Sequence, residues 1–166
     1  SLAKAMSAGA ALADLAICQN KIGSEGGTAL VEAIKTSNLE SISIGKDLTL
    51  PIKGELDSST LDASNQDIDP GYVMILAWWL TTPFSAVLAS LTLAGNPLTG
   101  AIYKDYKWQN IDSDMAGFVA LCAVLGKLND VDLSDCHLGP ASTGELAKVF
   151  SDARAVLASL NLGGNA

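Results

Sequence analysis

Hydrophobic and polar positions recur along the chain with a spacing that is clearest in residues 90–100, SLTLAGNPLTG. Leucines occupy positions 91, 93 and 98, and an asparagine occupies position 96. Apolar residues two positions apart are typical of a β-strand with one buried face. The spacing therefore predicts a short strand and, directly after it, a turn that contains Asn96.

This spacing occurs in four clear copies and two looser ones, so the chain is built from repeats. The template has apolar residues at relative positions 1, 4, 6 and 11, and asparagine or a substitute at position 9. The copies begin at residues 12, 39, 58, 88, 128 and 157, and those at 39 and 58 are the looser ones. In the clear copies position 9 is Asn20, Asn96, Cys136 and Asn165. Three of the five gaps between these starts are 27 to 30 residues long, which matches one strand-plus-helix unit and indicates a repeat architecture.

Helical segments are predicted after most of the strands. The stretch GGTALVEAIKTS places Leu30, Val31 and Ile34 on one helix face, as a helix packed on a sheet requires. Asp69-Pro70 and Pro140-Ala141-Ser142 are typical helix starts. The predicted helices cover residues 26–36, 71–80, 115–125 and 142–153.

One part of the chain departs from the repeat. The copies that begin at residues 39 and 58 are 19 residues apart, which leaves no room for a helix between their strands. We therefore expect two strands joined through an irregular loop around residues 51–58.

The repeat resembles the leucine-rich repeat, in the longer ribonuclease-inhibitor-like subtype that has an α-helix in every unit. Cysteine at position 9, seen here as Cys136, also occurs in that subtype. The resemblance implies an α/β fold: a curved leucine-rich-repeat solenoid with a parallel β-sheet on the concave side and α-helices on the convex side. Stacked strands lie about 4.8 Å apart, whereas packed helices lie about 8–10 Å apart. A stack of strand-plus-helix units must therefore curve, with the strands on the inner side.

We expect residues 1–166 to form a single such domain of about five to six strand units. Neither end shows an obvious polar cap, which repeat arrays normally need, so a fragment of a longer array is expected. Open strand edges at such ends predict possible end-to-end self-association.

The residues at position 9 are predicted to have a structural role rather than a catalytic one. Buried turns leave backbone groups unpaired, and an asparagine amide can both donate and accept hydrogen bonds there. Asn20, Asn96, Cys136 and Asn165 are therefore expected to form a structural ladder.

Composition narrows the range of partners and compartments. A net charge of −8 argues against nucleic-acid binding, which needs clustered lysine and arginine. Three scattered cysteines favour free thiols in a reducing, intracellular compartment, so a cytoplasmic protein is expected. The uncharged stretch before residue 102 is long enough to span a bilayer, but Thr81-Thr82-Pro83 interrupts it. A buried helix, a turn and a buried strand are predicted instead of a membrane span.

The resemblance implies that another protein binds on the concave face. The acidic candidates there are Asp62, Asp130 and Asp132, among small polar side chains that would equally suit a solvated sheet face. No motif indicates an enzyme, a cofactor or a metal site. Asp130, Asp132 and Asp135 lack the glycine and the closing glutamate of a calcium loop, and alternation along a strand explains their spacing.

The longest gap between copies, 40 residues, contains an insertion at residues 99–111. Insertions in repeat proteins map to loops and often to the binding face. Its candidate partner-binding side chains are Tyr103, Lys104, Tyr106, Lys107 and Trp108. The alternative is that these aromatic side chains fold back to cover the core of the adjacent repeat.

We therefore expect a non-catalytic protein–protein interaction scaffold that binds its partner through the concave face and the aromatic insertion. The alternative is a structural or spacer segment of a larger repeat protein with no binding role of its own.

Overall fold

The computed structural model describes residues 2–7 and 11–165. Ser1, residues 8–10 and Ala166 of the expected domain lie outside the described residues. The helices are α1 (Leu2–Ser7), α2 (Gly23–Lys35), α3 (Pro70–Leu80), α4 (Ala116–Leu125) and α5 (Pro140–Ser151). The strands are β1 (Asp14–Ala16), β2 (Ser41–Gly45), β3 (Leu48–Pro51), β4 (Thr60–Asp62), β5 (Ser90–Thr92), β6 (Ile102–Lys104), β7 (Lys107–Gln109), β8 (Asp130–Asp132) and β9 (Ser159–Asn161).

Four strands form a parallel sheet in the order β4-β5-β8-β9. Their central residues, Leu61, Leu91, Val131 and Leu160, align in one row across the sheet. Leu91 is fully buried, whereas the residues on either side of it in β5 are only half-buried. The mixed α/β fold with a parallel sheet is thus confirmed.

A second sheet, in the order β1-β2-β3, is only partly parallel. β1 pairs with β2 in parallel, but β2 and β3 form an antiparallel hairpin whose register shifts between Ser43 and Gly45. The parallel sheet predicted from the sequence does not extend to β3, which pairs antiparallel with β2 and is a strand that the repeat template does not include. Leu48 and Leu50 are buried and Thr49 is exposed, which is the alternation that makes this segment a strand.

The two sheets are separate, and the last residue of β3 has no free backbone group for pairing with a further strand. Pro51 has no N–H to donate, and its carbonyl oxygen accepts a hydrogen bond from Trp79 Nε1 at 2.8 Å. In the described part of the chain no backbone ladder joins β3 to β4. The irregular connection expected around residues 51–58 is present from residue 52 onwards.

The four predicted helices are confirmed within a few residues at each end, and α3 packs against both α2 and α4. The helices approach closely where each has a glycine near its start. A Cβ on Gly27 would lie 2.3 Å from the oxygen of Gly71, and one on Gly117 would lie 2.3 Å from the oxygen of Pro70. Only a glycine fits at these two contacts.

The uncharged stretch folds as predicted, into α3, a short 3₁₀ helix at Pro83–Ser85, and β5. Most of α3 is buried, including Tyr72, Val73 and Trp79. Such a helix is apolar on every side because neighbours cover it on more than one side. None of the helices in the described ranges is long and apolar enough to cross a lipid bilayer.

Candidate functional site

The turn that follows β5 is fixed by Asn96, which is fully buried. Its Nδ2 donates to the carbonyl oxygens of Ala63 and Leu93, both at 2.8 Å. Its Oδ1 accepts hydrogen bonds from the backbone N–H groups of Gln66 and Ile68, at 2.9 and 3.0 Å. One amide therefore satisfies backbone groups in two consecutive turns.

Asn165 makes the same set of contacts in the last copy of the repeat, which begins at residue 157. Its Nδ2 donates to the oxygens of Leu133 and Leu162, and its Oδ1 accepts from the N–H groups of Cys136 and Leu138. These bonds are 2.8 to 3.0 Å long. The two asparagines have equivalent positions in the repeat and equivalent bonds.

Cys136 and Asn20 occupy position 9 with different contacts. The buried Cys136 thiol donates to the oxygen of Leu93 at 3.2 Å. Asn20 is exposed, and its Nδ2 donates to the oxygen of Ile17 in its own turn at 3.0 Å. The Tyr72 hydroxyl reinforces this turn by accepting from the Asn20 N–H at 3.1 Å and donating to the oxygen of Ile17. Burial raises the pKa of Tyr72, which keeps the hydroxyl protonated.

Asp69 holds the starts of two helices at once. Its Oδ1 accepts from the N–H groups of Gly71 and Tyr72, at 2.9 and 3.1 Å, as an N-cap does. Its Oδ2 accepts from the N–H groups of Ile22 and Gly23, at 2.8 and 3.0 Å, at the start of α2. The predicted helix start at Asp69 is confirmed, and its role in α2 is additional.

Two further aspartates cap helices that are distant in sequence. Asp112 accepts from the N–H groups of Ala141 and Ser142 and from the Ser142 hydroxyl, at 2.9, 3.2 and 2.7 Å, at the start of α5. Burial opposes ionisation of Asp112, but these hydrogen bonds outweigh it and lower its pKa. Asp114 accepts from the N–H and the hydroxyl of Ser24 in α2. The segment after the insertion is therefore tied to two helices.

The insertion at residues 99–111 contains a β-hairpin, which the sequence analysis describes only as a loop. β6 and β7 pair in an antiparallel manner around a two-residue turn. Asp105 and Tyr106 form that turn with φ values of 52° and 61°, as in the tight hairpin turns that match the twist of the strands. Tyr106 lies at the tip and is 95% exposed.

The hairpin has an aromatic face and a basic face. Tyr103 and Trp108 are paired across the strands, with ring centroids 5.3 Å apart. Lys104 and Lys107 form the next pair and project from the opposite face, because side chains alternate along a strand. Trp108 stacks on His137, which lies in the turn after β8, with ring centroids 3.4 Å apart. Burial lowers the pKa of His137, against the opposing charge of Asp135.

The aromatic side chains of the hairpin lie outside the buried core. Tyr103 is 60% exposed and Trp108 is 42% exposed, even with its stacking contact to His137. The hairpin therefore presents three accessible aromatic rings on a short, hydrogen-bonded element.

A groove of about 690 Å³ runs between the aromatic face of the hairpin and the turns that follow β1, β4 and β5. Its charged and aromatic lining side chains are Lys21, Asp67, Asp69, Tyr103, Trp108, Asp114 and His137. We call this feature the hairpin groove. The sequence gives no sign of this groove, because its walls come from repeats that are far apart in the chain.

The sheet-face candidates form a separate group. Asp62 and Asp132 share one cross-strand row with Asn161, and Asp130 lies in the other row. Asp132 accepts hydrogen bonds from the Ser134 hydroxyl at 2.6 Å and from Asn161 Nδ2 at 3.1 Å. Burial opposes ionisation of Asp132, but these bonds lower its pKa on balance.

No hydrogen bond or ion pair in the described ranges joins the hairpin side chains to the sheet-face aspartates. The ion pairs of the described residues lie elsewhere, at Glu32–Lys35, Glu145–Lys148 and Asp152–Arg154. His137 is a contact of the hairpin that was not expected from the sequence. An isolated histidine one repeat away gives no local signal of stacking on Trp108.

Across residues 2–7 and 11–165, no three His, Cys, Asp or Glu side chains gather in an arrangement that could hold a metal ion. A scan against models of known protein families found no matching family, and a search of curated proteins found no match. Similarity to known proteins therefore shows no family for this chain.

Proposed function

We propose that this protein is a non-catalytic interaction scaffold of the leucine-rich-repeat type, and that the β6–β7 hairpin contacts its partner protein. The observation that carries the proposal is the exposure of Tyr103, Tyr106 and Trp108, at 60%, 95% and 42%. Leaving large aromatic rings in water forgoes the free energy that their burial would release. A partner that covers them would recover it.

The hairpin is suited to binding because it is already ordered. Its two-residue turn and cross-strand ladder fix its shape, and the stack of Trp108 on His137 attaches it to the repeat that contains β8. A contact surface that is rigid before binding loses less conformational entropy on association. Tyrosine and tryptophan are also the side chains enriched at interface hot spots.

The repeat pattern supports the leucine-rich-repeat and solenoid parts of the proposal. Parallel strands align in register, helices follow β4, β5 and β8 along the chain, and Asn96 and Asn165 make equivalent bonds in equivalent turns. Because helices need more room than strands, repetition of this unit favours a curved array with the sheet inside.

The sheet face is a second, weaker part of the proposed interface. Asp62, Asp130 and Asp132 project from it beside small polar side chains, without an aromatic residue or arginine among them. We propose that these carboxylates extend the contact with a partner that the hairpin holds first.

A structural spacer is the second candidate function. It is favoured by the way the sheet-face side chains bond to one another. Asn161 Nδ2 donates to Asp132 at 3.1 Å, and the Ser41 hydroxyl donates to Asp14 at 2.6 Å. Such polar groups are satisfied without a partner.

The test begins with capture of partners from a lysate of the source organism. The intact protein is compared with a variant whose residues 101–110 are replaced by a short Gly/Ser loop. A protein captured only by the intact chain is then identified and purified, and its Kd is measured for Tyr106→Ser. Phe150→Ser is the matched control, because Phe150 is 62% exposed on α5, outside the hairpin.

We expect Tyr106→Ser to raise the Kd for the purified partner by about tenfold or more, as loss of a hot-spot side chain does. Phe150→Ser should change Kd less than about twofold. Equal capture by the intact and hairpin-replaced chains would overturn the role of the hairpin. No specific capture by either would favour the spacer.

A further inference from the structure

The aromatic wall and the charges of the hairpin groove indicate which kind of peptide segment binds there. We propose that it binds a lysine- or arginine-bearing segment of a basic partner protein, with the cationic side chain against Tyr103 and Trp108 and with Asp67 as its counter-charge. This inference rests on the proposed function, because it names the partner chemistry of the same site.

The groove is large enough for several side chains of an extended segment. Its volume of about 690 Å³ lies within the range of ordinary ligand sites. One wall is the aromatic face of the hairpin, and the floor is built from strand-to-helix turns. Asp69 and Asp114 tie those turns to helix starts, so the floor is ordered before binding.

The aromatic wall suits a cation. Lysine and arginine side chains are attracted to the faces of tryptophan and tyrosine rings. Trp108 retains 42% exposure although His137 covers part of it, and Tyr103 retains 60%. The lowered pKa of His137 keeps its ring uncharged at neutral pH, so it places no competing positive charge beside Trp108.

The charges of the groove favour the same ligand. Three aspartates line it against one lysine, Lys21. Asp69 and Asp114 accept hydrogen bonds from helix starts, whereas Asp67 is exposed and accepts none of the hydrogen bonds of the described residues. The lysines of the hairpin do not neutralise this wall, because they project from its other face. The net charge of −8 adds long-range attraction for a basic partner.

Other occupants fit less well. An anionic segment would meet three carboxylates, and a purely apolar segment would remove them from water without a compensating charge. The sheet face is also acidic, but it has no aromatic side chain to add a cation–π contact.

The test uses short fluorescent peptides of equal length that alternate glycine with lysine, arginine, glutamine or glutamate. Kd is measured by fluorescence anisotropy at about 0.15 M salt, where long-range attraction between exposed charges is screened. The protein variants are Asp67→Asn and Trp108→Leu. Asn tolerates the positive φ of 60° at Asp67, and leucine keeps the hairpin apolar while removing the π face.

Asp57→Asn is the matched control, since it removes one exposed carboxylate outside the groove. We expect saturable binding of the lysine and arginine peptides, and a Kd raised about threefold to tenfold by Asp67→Asn and by Trp108→Leu. Asp57→Asn should change Kd less than about twofold, and the glutamate peptide should not bind measurably.

Three results would overturn the inference: equal weakening by Asp57→Asn and Asp67→Asn, equal binding of the glutamate peptide, or no saturable binding of a cationic peptide below about 1 mM. Hairpin-dependent capture of a partner with no basic segment would overturn this inference and leave the proposed function standing. Equal capture of partners by the intact and the hairpin-replaced chains would overturn both this inference and the proposed role of the hairpin.

Discussion

The ring of Trp108 stacks on the ring of His137 with an interplanar angle of 22°. Trp108 belongs to β7 in the insertion, and His137 lies in the turn of the following repeat, after β8. The contact therefore fixes the hairpin against the body of the protein and sets the aromatic wall of the groove.

Removal of the His137 ring should loosen the hairpin. In His137→Asn the positive φ of 54° is retained by a residue that tolerates it, so the change removes mainly the stack. We expect a loss of about 1 kcal/mol in the free energy of unfolding. Amide hydrogen exchange in residues 102–109 should become faster, and unchanged exchange there would contradict the role of the stack.

Asn96 should be far more important for stability than Asn20. Asn96→Ala leaves buried backbone groups of two turns without partners, so we expect a loss of about 2–4 kcal/mol in the free energy of unfolding. Asn20→Ala is the matched control, and we expect it to cost about 1 kcal/mol or less because Asn20 is exposed. Urea unfolding measures both, and equal losses would show that burial of the amide does not determine its contribution.

Two glycine-to-alanine changes should have opposite effects on the free energy of unfolding. In Gly71→Ala the new Cβ would lie 2.4 Å from the oxygen of Gly23, so the contact between α2 and α3 must open, at a cost of about 1–3 kcal/mol. Nothing lies within 4 Å of a Cβ on Gly144 in α5, so Gly144→Ala should stabilise by about 0.5–1 kcal/mol. Thermal unfolding of the two variants compares them directly. A gain for Gly71→Ala would mean that the close approach of the helices does not constrain the fold.

Acid should destabilise the protein partly through Asp112. Its folded-state pKa lies below the unfolded value, so the unfolded chain binds more protons as the pH falls below about 5. The stability contributed by ionised Asp112 is present above the unfolded pKa and is lost as the pH falls through the folded pKa.

We expect Asp112→Asn to cost about 1 kcal/mol at pH 7, because the cap of α5 is weakened. Its further loss of stability on acidification should be smaller than that of the unmodified protein. Urea midpoints at neutral and acid pH measure the difference, with Asp57→Asn as a control carboxylate that accepts none of the hydrogen bonds of the described residues. Parallel pH profiles for the unmodified protein and Asp112→Asn would contradict the assignment.

The sequence predicts much of the fold because the spacing of apolar residues that are close together in the chain marks each repeat. The leucines that flank Asn96 mark a strand and a turn, and the same spacing marks β8 and β9. The strand β3 was missed although Leu48 and Leu50 alternate with Thr49, because the repeat template gave this segment no strand. The short gap between copies predicted the irregular connection after β3, whereas the bond from Trp79 to Pro51 joins residues 28 apart and has no local signature.

The site was predictable only in part, for the same reason. The length and the aromatic content of the insertion identify Tyr103, Tyr106 and Trp108 as candidates. The groove, however, forms where turns from different repeats meet, and Asp67 contributes to it from the turn after β4. Which turns the hairpin faces is decided by tertiary packing, so spacing along the chain could not identify them.

The most direct test of the account is a map of amide chemical shifts in the ¹⁵N-labelled protein as the captured partner is added. The account predicts that the changes concentrate on the hairpin, on the turns of the groove around Asp67 and on the turn that contains His137. Amides around the control residue Phe150 on α5 should stay unchanged. Changes confined to the helices, with the hairpin amides unmoved, would contradict it.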